Sequence, residues 1–314
     1  MLKIIRLNLN KEMKRFLKVI NKKINIKISI IINTTINLKK LSRKEENLMK
    51  ITMLGTGNAM VTKCYNTTFV LTNGEKQLLV DGGGGNKIFN QLEDAGIDWK
   101  NIKEIFVTHK HVDHVIGVIW MIRKICRSMK KGEYVGEVNI YAHNELCEII
   151  HSISHMLLNK KETDFIGERV HIIPVEDEEE REIIGNKTVF FDIHSTKAKQ
   201  FGFSMIYDEN KKLTCCGDEP YNEKEEKYAK NSYWLLHEAF CLYSEADRFK
   251  PYEKHHSTVK DACELATELE IKNLLLYHTE DKNIKNRKTM YYNEGKEFFS
   301  GNLVIPDDLE TIEL

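Results

Sequence analysis

From residue 49 onward, apolar positions alternate between two spacings. Short runs rich in Ile, Val, Leu and Phe are followed by longer stretches whose apolar residues recur at helical intervals. Ile51 to Leu54, Thr67 to Thr72 and Gln77 to Val80 predict three strands of a meander, the last two joined at Asn73-Gly74. A helix is expected over Lys87 to Ala95, a buried strand at Ile105-Phe106-Val107, and a helix through Val115 to Ile122. Val138 to Tyr141 predicts a strand and Glu145 to Leu158 a helix. Further strands follow at Thr188 to Ile193, Gly202 to Tyr207, Leu213 to Cys216, Tyr233 to Leu236 and Asn273 to Tyr277. The acidic block Glu176 to Glu182 reads as a solvated loop or helix edge. Two halves of strands and helices imply an α/β protein with two sheets packed face to face and helices outside.

Charge divides the chain at the same boundary. Residues 1–48 hold 13 Lys/Arg and 3 Asp/Glu; removing them from the totals of 47 and 47 leaves residues 49–314 with 34 basic and 44 acidic side chains. The main body is therefore acidic, which disfavours tight nonspecific binding of nucleic acid. The basic segment lacks the continuous apolar stretch and small-residue cleavage site of a secretory leader. Met49-Lys-Ile-Thr-Met-Leu-Gly-Thr-Gly57 looks like the start of a domain, with Lys44-Glu45-Glu46 encoded by purine-rich codons just upstream. Residues 1–48 are thus expected to be a mis-assigned extension of a single domain at 49–314, which mass spectrometry of the native N-terminus would test. No apolar run reaches membrane-spanning length, and seven cysteines without a short-spaced framework suggest reduced thiols in a cytoplasmic protein.

The chemistry concentrates in Thr108-His109-Lys-His111-Val-Asp113-His114, between the strand at 105–107 and the helix that Asp113 and His114 open. Neutral imidazole and carboxylate suit a borderline divalent metal such as zinc. Four ligands on one loop face two sides of the turn and suit one ion poorly, so residues that could complete a two-metal site are sought at other strand ends. His194, Asp218 and His278 each follow an apolar run. Asp81-Gly82-Gly83-Gly84-Gly85 lacks the ending of a phosphate-binding loop and reads as a turn passing close to other backbone, with Asp81 placed to orient the ligand loop. His151 and His155 lack the Glu of a His-Glu-x-x-His pair and read as surface histidines.

The order His-x-His-x-Asp-His, then His194, Asp218 and His278, resembles the metallo-β-lactamase superfamily over residues 49–314. His237-Glu238-Ala239-Phe240 and His256-Ser257-Thr258 resemble the His-Glu-Ala-Thr and His-Ser-Thr motifs of its tRNase Z (ribonuclease Z) branch. The resemblance implies a four-layer αββα sandwich of two mixed β-sheets. It also implies two divalent ions, zinc by precedent, one held by His109, His111 and His194 and the other by Asp113, His114 and His278. Asp218 would bridge them. The implied activity is phosphodiester hydrolysis by a metal-bridged hydroxide, with Asp113 as proton acceptor and His256, oriented by Glu238, as general acid. A homodimer is implied as well.

Three departures bear on the substrate. The branch's Pro-x-Lys-x-Arg-Asn loop appears as Val61-Thr-Lys63-Cys-Tyr65-Asn66, and the Glu that follows Asp-x-Gly is replaced in the glycine run. Residues 144–187 lack a Gly/Pro-rich basic arm and carry Glu176-Asp-Glu-Glu-Glu180 instead. The expectation is therefore a phosphodiesterase acting on a small diester more readily than on a tRNA precursor. The alternative is a metallo-hydrolase of a small ester, lactone or thioester.

Overall fold

The computed structural model describes residues 48–314 together with Met13. The extension expected at 1–48 otherwise lies outside the described residues, and the unit Met49–Leu314 is treated by itself. Its strands are β1 (Lys50–Gly55), β2 (Thr68–Asn73), β3 (Lys76–Val80), β4 (Glu104–Phe106), β5 (Val138–His143), β6 (Val170–Val175), β7 (Glu180–Ile183), β8 (Asn186–Asp192), β9 (Phe201–Tyr207), β10 (Lys211–Cys215), β11 (Trp234–Glu238), β12 (Asn273–Tyr277), β13 (Asn302–Val304) and β14 (Thr311–Glu313). The longer helices are α1 (Ile88–Asp94), α2 (Val112–Lys130), α3 (Asn144–Leu157), α4 (Val259–Glu268) and α5 (Arg287–Gly295).

These strands form two seven-stranded mixed sheets, β14-β1-β2-β3-β4-β5-β6 and β13-β12-β11-β10-β9-β8-β7. In the first, β1 to β3 pair antiparallel and β3 to β6 parallel. The second repeats that plan, with β7 to β10 antiparallel and β10 to β13 parallel. Alternation along each strand builds the layers. On β2, Phe69 and Leu71 enter the core between the sheets while Val70 faces the α1–α3 side. On β12, Leu275 and Tyr277 face the same inter-sheet core while Leu274 and Leu276 pack among α4 and α5 residues. Both faces of these strands are covered, which is why they read as unbroken apolar runs. Phe106 of one sheet meets Phe190 and Phe203 of the other at ring-centroid distances of 5.0 and 5.7 Å. Each such buried side chain contributes roughly 1.5–3 kcal/mol. The result is a four-layer αββα sandwich.

Several boundaries differ from expectation. The acidic block is partly a strand: Glu180–Ile183 pairs with β8 at the sheet edge, where charged side chains are tolerated on the solvent side. The β2–β3 hairpin closes through Gly74-Glu75, because Asn73 still pairs with Lys76; Gly74 takes a positive φ of 59°. α2 begins at Val112 and runs to Lys130, longer than its apolar stripe suggested, since its later turns alternate buried Ile and Met with Arg and Lys. Strands β6, β13 and β14 were not anticipated. Among the described residues no helix is long and apolar enough to cross a membrane. All seven cysteines are free, and Cys215 and Cys216 are buried.

The glycine run has the role the sequence suggested. Gly82 lies directly against Gly117 on α2: a Cβ on Gly117 would stand 1.7 Å from the Gly82 carbonyl oxygen. Gly82 N–H donates to His114 O and Gly117 N–H to Gly83 O, both at 2.8 Å. This contact locks the β3 exit onto the first turns of α2 and brings Asp81 to His114.

Candidate metal centre

The site is built where strands end. His109 follows β4, Asp218 follows β10, Glu238 closes β11 and His278 follows β12. β4, β11 and β12 run parallel to their neighbours, so their exits gather at one edge of the sandwich. Backbone geometry there is unusual. Asp81, His194 and His278 hold φ values of 60°, 56° and 58°, a left-handed conformation that costs a non-glycine residue energy and recurs at functional sites.

Three imidazoles converge on the Asp218 carboxylate. Its Oδ2 lies 3.6 Å from His109 Nε2, 3.2 Å from His114 Nε2 and 3.5 Å from His278 Nε2. His114 Nε2 is also 3.3 Å from Asp113 Oδ2. In each ring the opposite nitrogen is held: His109 Nδ1 by Thr108 Oγ1 at 2.9 Å, His114 Nδ1 by Asp81 Oδ2 at 2.7 Å, and His278 Nδ1 by Thr67 Oγ1 at 3.1 Å. Fixing Nδ1 sets the ring orientation and leaves Nε2 for a ligand. Asp81 further accepts from Thr108 N–H and Thr108 Oγ1–H, both at 2.8 Å, so one carboxylate braces the strand exit and a ligand together.

Two groups of donor atoms are close enough to share an ion: His109, His114 and Asp218, and Asp113, His114 and His278. All five residues are buried. His111 Nδ1 lies 2.8 Å from His109 Nε2, although the ring is exposed. His194 is exposed on the bend after β8 and stands outside both groups. The residues present fit a divalent metal pair. His114 Nε2 is buried with no hydrogen-bond partner, and the donors are imidazole nitrogens and carboxylate oxygens.

Electrostatics follow from this crowding. Burial tends to raise the Asp218 carboxyl, but His109, His278 and His114 outweigh it and hold the group well below the usual carboxylate range. Asp113 is lowered against burial in the same way, chiefly by His114. Burial lowers His109 well below its ordinary value and His278 to about 3, despite Asp218. His114 is the exception: burial disfavours its cation, yet Asp81, Asp113 and Asp218 together raise it well above the ordinary value.

Beside this cluster lie Glu238 and His256, the two residues expected to act together. Glu238 is fully buried; its Oε1 accepts from Ser257 N–H, and its Oε2 lies 3.6 Å from His256 Nδ1. The His256 ring is 5.2 Å from that of His278. His255, its neighbour, is exposed with φ 57°. Thr258 caps α4 through a capping box with Asp261, which ends the loop carrying His256. Phe240 stacks on His256, with rings 4.9 Å apart and within 5° of parallel. His151 and His155 are exposed on α3, away from any group of close metal donors among the described residues.

Sequence reasoning missed Thr67 and Phe240 as partners of His278 and His256, and placed Asp81 against the loop backbone but not against His114. Thr67 and Phe240 carry no signal beyond their nearness to motif residues. For Asp81 the signal was the glycine run that brings its strand exit onto α2.

A two-sheet αββα sandwich is the metallo-β-lactamase fold, and here its strand ends carry buried His/Asp donors close enough together to hold metal ions. The fold is shared with the metallo-β-lactamase fold protein YhfI from Bacillus subtilis at a TM-score of 0.69 and 16% identity, covering 85% of this chain and all of that one. The chain belongs to the family described as Anti-Pycsar protein Apyc1, whose model matches residues 49–298. Similarity to the Apyc1 protein of Bacillus phage vB_BveM-Goe7 is 39% over 71 residues, 22% of this chain and 26% of that protein. The ribonuclease Z of Archaeoglobus fulgidus is 23% identical over 317 residues, 85% of this chain and 98% of that protein.

Proposed function

We propose that the chain is a divalent-metal-dependent phosphodiesterase acting on a small phosphodiester, linear or cyclic. The carrying observation is the Glu238–His256 pair beside the metal cluster. Hydrolysis of a diester must expel an alkoxide, a poor leaving group that needs a proton. His256 supplies it. Burial disfavours its cation, but the Glu238 carboxylate outweighs burial and raises the imidazole above its ordinary value. Because Nδ1 faces Glu238, Nε2 is the nitrogen that donates to the leaving oxygen. The Phe240 face holds the ring plane fixed while it does so. A ring-opening lactonase needs no such acid.

His109, His111, His194, Asp113, His114 and His278 would hold the two ions, with Asp218 between them. Two ions, zinc by donor type, would supply Lewis acidity toward the phosphoryl oxygens and lower the pKa of a nucleophilic water. Asp113, ionised at neutral pH, would accept a proton through the oxygen not used as a ligand. His194 reaches the site only if its exposed bend turns inward when a metal is present.

The ribonuclease Z reading is supported by the His-Glu-Ala and His-Ser-Thr motifs and by full-length similarity to that enzyme in Archaeoglobus fulgidus. A small substrate is favoured by the net acidic body and by residues 144–187. That segment folds into α3, a short turn, β6 and β7, and so provides no basic arm. Large polyanions depend on phosphate contacts that this segment does not supply. The test is the full chain assayed on bis(p-nitrophenyl) phosphate, nucleoside cyclic monophosphates, a lactone panel and a 3′-extended tRNA. Turnover of small diesters with little tRNA cleavage is expected; lactone turnover without diester turnover would overturn the reading.

A further inference from the structure

Away from the metal cluster, the outer helical layer carries a groove of about 500 Å³. Its floor is aromatic: Phe89 on α1, Trp99 on the short turn Trp99–Asn101, and Trp120 on α2. Its rim is cationic. Arg123, Lys124, Arg127 and Lys131 recur at helical spacing along α2, and Lys100 faces them from the turn. Trp120 lies seven residues beyond Asp113 on the same helix, or about 10 Å along its axis, and Arg127 about 20 Å. The groove is therefore separate from the metal centre, though built on the helix that presents two of its ligands.

Charge and shape together select an occupant. Five cations face four carboxylates: Glu162, which stands 3.9 Å from Arg123 and 3.8 Å from Arg127, Glu133, 3.9 Å from Lys131, and Glu93 and Asp98, whose charges act on Lys124. This positive excess lies on a body that is acidic as a whole. The cations also sit over the rings. Lys124 Nζ is 4.0 Å from the Phe89 centroid and 4.8 Å from that of Trp99, while Arg123 lies 5.3 Å from Trp120. Burial against these rings lowers the Lys124 ammonium from its ordinary value, a cost that a bound anion would relieve. A two-fold axis passing through the groove would set its five cations against the same five, which disfavours a second copy centred there. A long nucleic acid would extend past the groove onto a body that is acidic as a whole.

We propose that this groove binds a mononucleotide, the base stacked on Trp99 or Trp120 and the phosphate held by Arg123, Arg127 and Lys124. The volume suits one nucleotide, and alternating aromatic and cationic side chains are how proteins hold a stacked base beside its phosphate. The proposal goes beyond the catalytic reading and does not rest on it.

Tryptophan fluorescence tests it directly. Of three tryptophans, Trp234 is buried between the sheets, so a ligand in the groove acts on the other two. Adenosine 5′-monophosphate should quench the full-length protein saturably. It should do so equally well in His114→Ala, which keeps the groove but lacks a ligand at the metal site. Trp120→Ala and the double variant Arg123→Gln/Arg127→Gln should each weaken binding about tenfold or more. If loss of both arginines unfolds the chain by stranding Glu162, Lys124→Gln/Lys131→Gln serves instead, with circular dichroism as the check on folding. Adenosine and inorganic phosphate should each bind more weakly than the nucleotide. Four outcomes would overturn the proposal: no saturable quenching, affinity unchanged in folded groove variants, affinity lost in His114→Ala, or sedimentation showing that a second copy covers Trp120 and excludes the nucleotide.

Discussion

Asp81→Asn separates the charge of one buried carboxylate from its shape. Asp81 accepts three hydrogen bonds, from Thr108 N–H, Thr108 Oγ1–H and His114 Nδ1–H. An asparagine can keep its carbonyl oxygen on Thr108 N–H, the only backbone donor of the three. Its NH₂ group then faces His114 Nδ1 and donates, which moves the imidazole proton to Nε2. That nitrogen points at Asp113 and Asp218 and belongs to both groups of converging donors, so a proton there removes a ligand from each. Loss of such a supporting partner typically costs 10–100-fold in metal affinity, or about 1.4–2.7 kcal/mol. The metal-free protein also loses a charge-assisted hydrogen bond, about 1.5–3 kcal/mol. Chelator competition gives the first quantity and urea unfolding of the metal-free chain the second. Asp81→Asn binding metal as tightly as the parent would refute the tautomer argument, even if stability fell.

Three further outcomes follow from the same geometry. His256→Ala should lower turnover of a phosphodiester about 10²–10⁴-fold while leaving metal content unchanged; loss of metal would make His256 a ligand and contradict its role as acid. Gly117→Ala places a methyl group 1.7 Å from the Gly82 carbonyl and should destabilise the chain by about 1–3 kcal/mol or more, with an unchanged urea midpoint arguing against the close packing described. Glu225 is buried, and burial pushes its carboxyl up to about 8. Below its ordinary value of 4.5 the group is protonated folded or unfolded. Between 4.5 and about 8 only the unfolded chain releases the proton, so stability falls as pH rises through that window and then levels off. Glu225→Gln should flatten this decline, and an unaltered slope between pH 5 and 8 would show that other groups cause it.

The alternating apolar runs and the strand-end donors His109, Asp218 and His278 were legible because each depends on residues close in the chain. Double burial forces a strand to be apolar on both faces. A donor at a strand exit follows the apolar run that ends there. The edge strands were not legible. β7 is built from Glu, Arg, Glu and Ile, and β13 and β14 are three residues each, so their pairing is decided by neighbours already in place. Sequence alone therefore determined the sandwich and named the five donors that converge in it, His109, Asp113, His114, Asp218 and His278. Only the tertiary structure decided that Asp81 fixes the His114 ring, that Phe240 stacks on His256, and that Lys124 lies over Phe89 and Trp99 from other segments. These are contacts between residues far apart in the chain, and they exist only once the two sheets and their helices have packed.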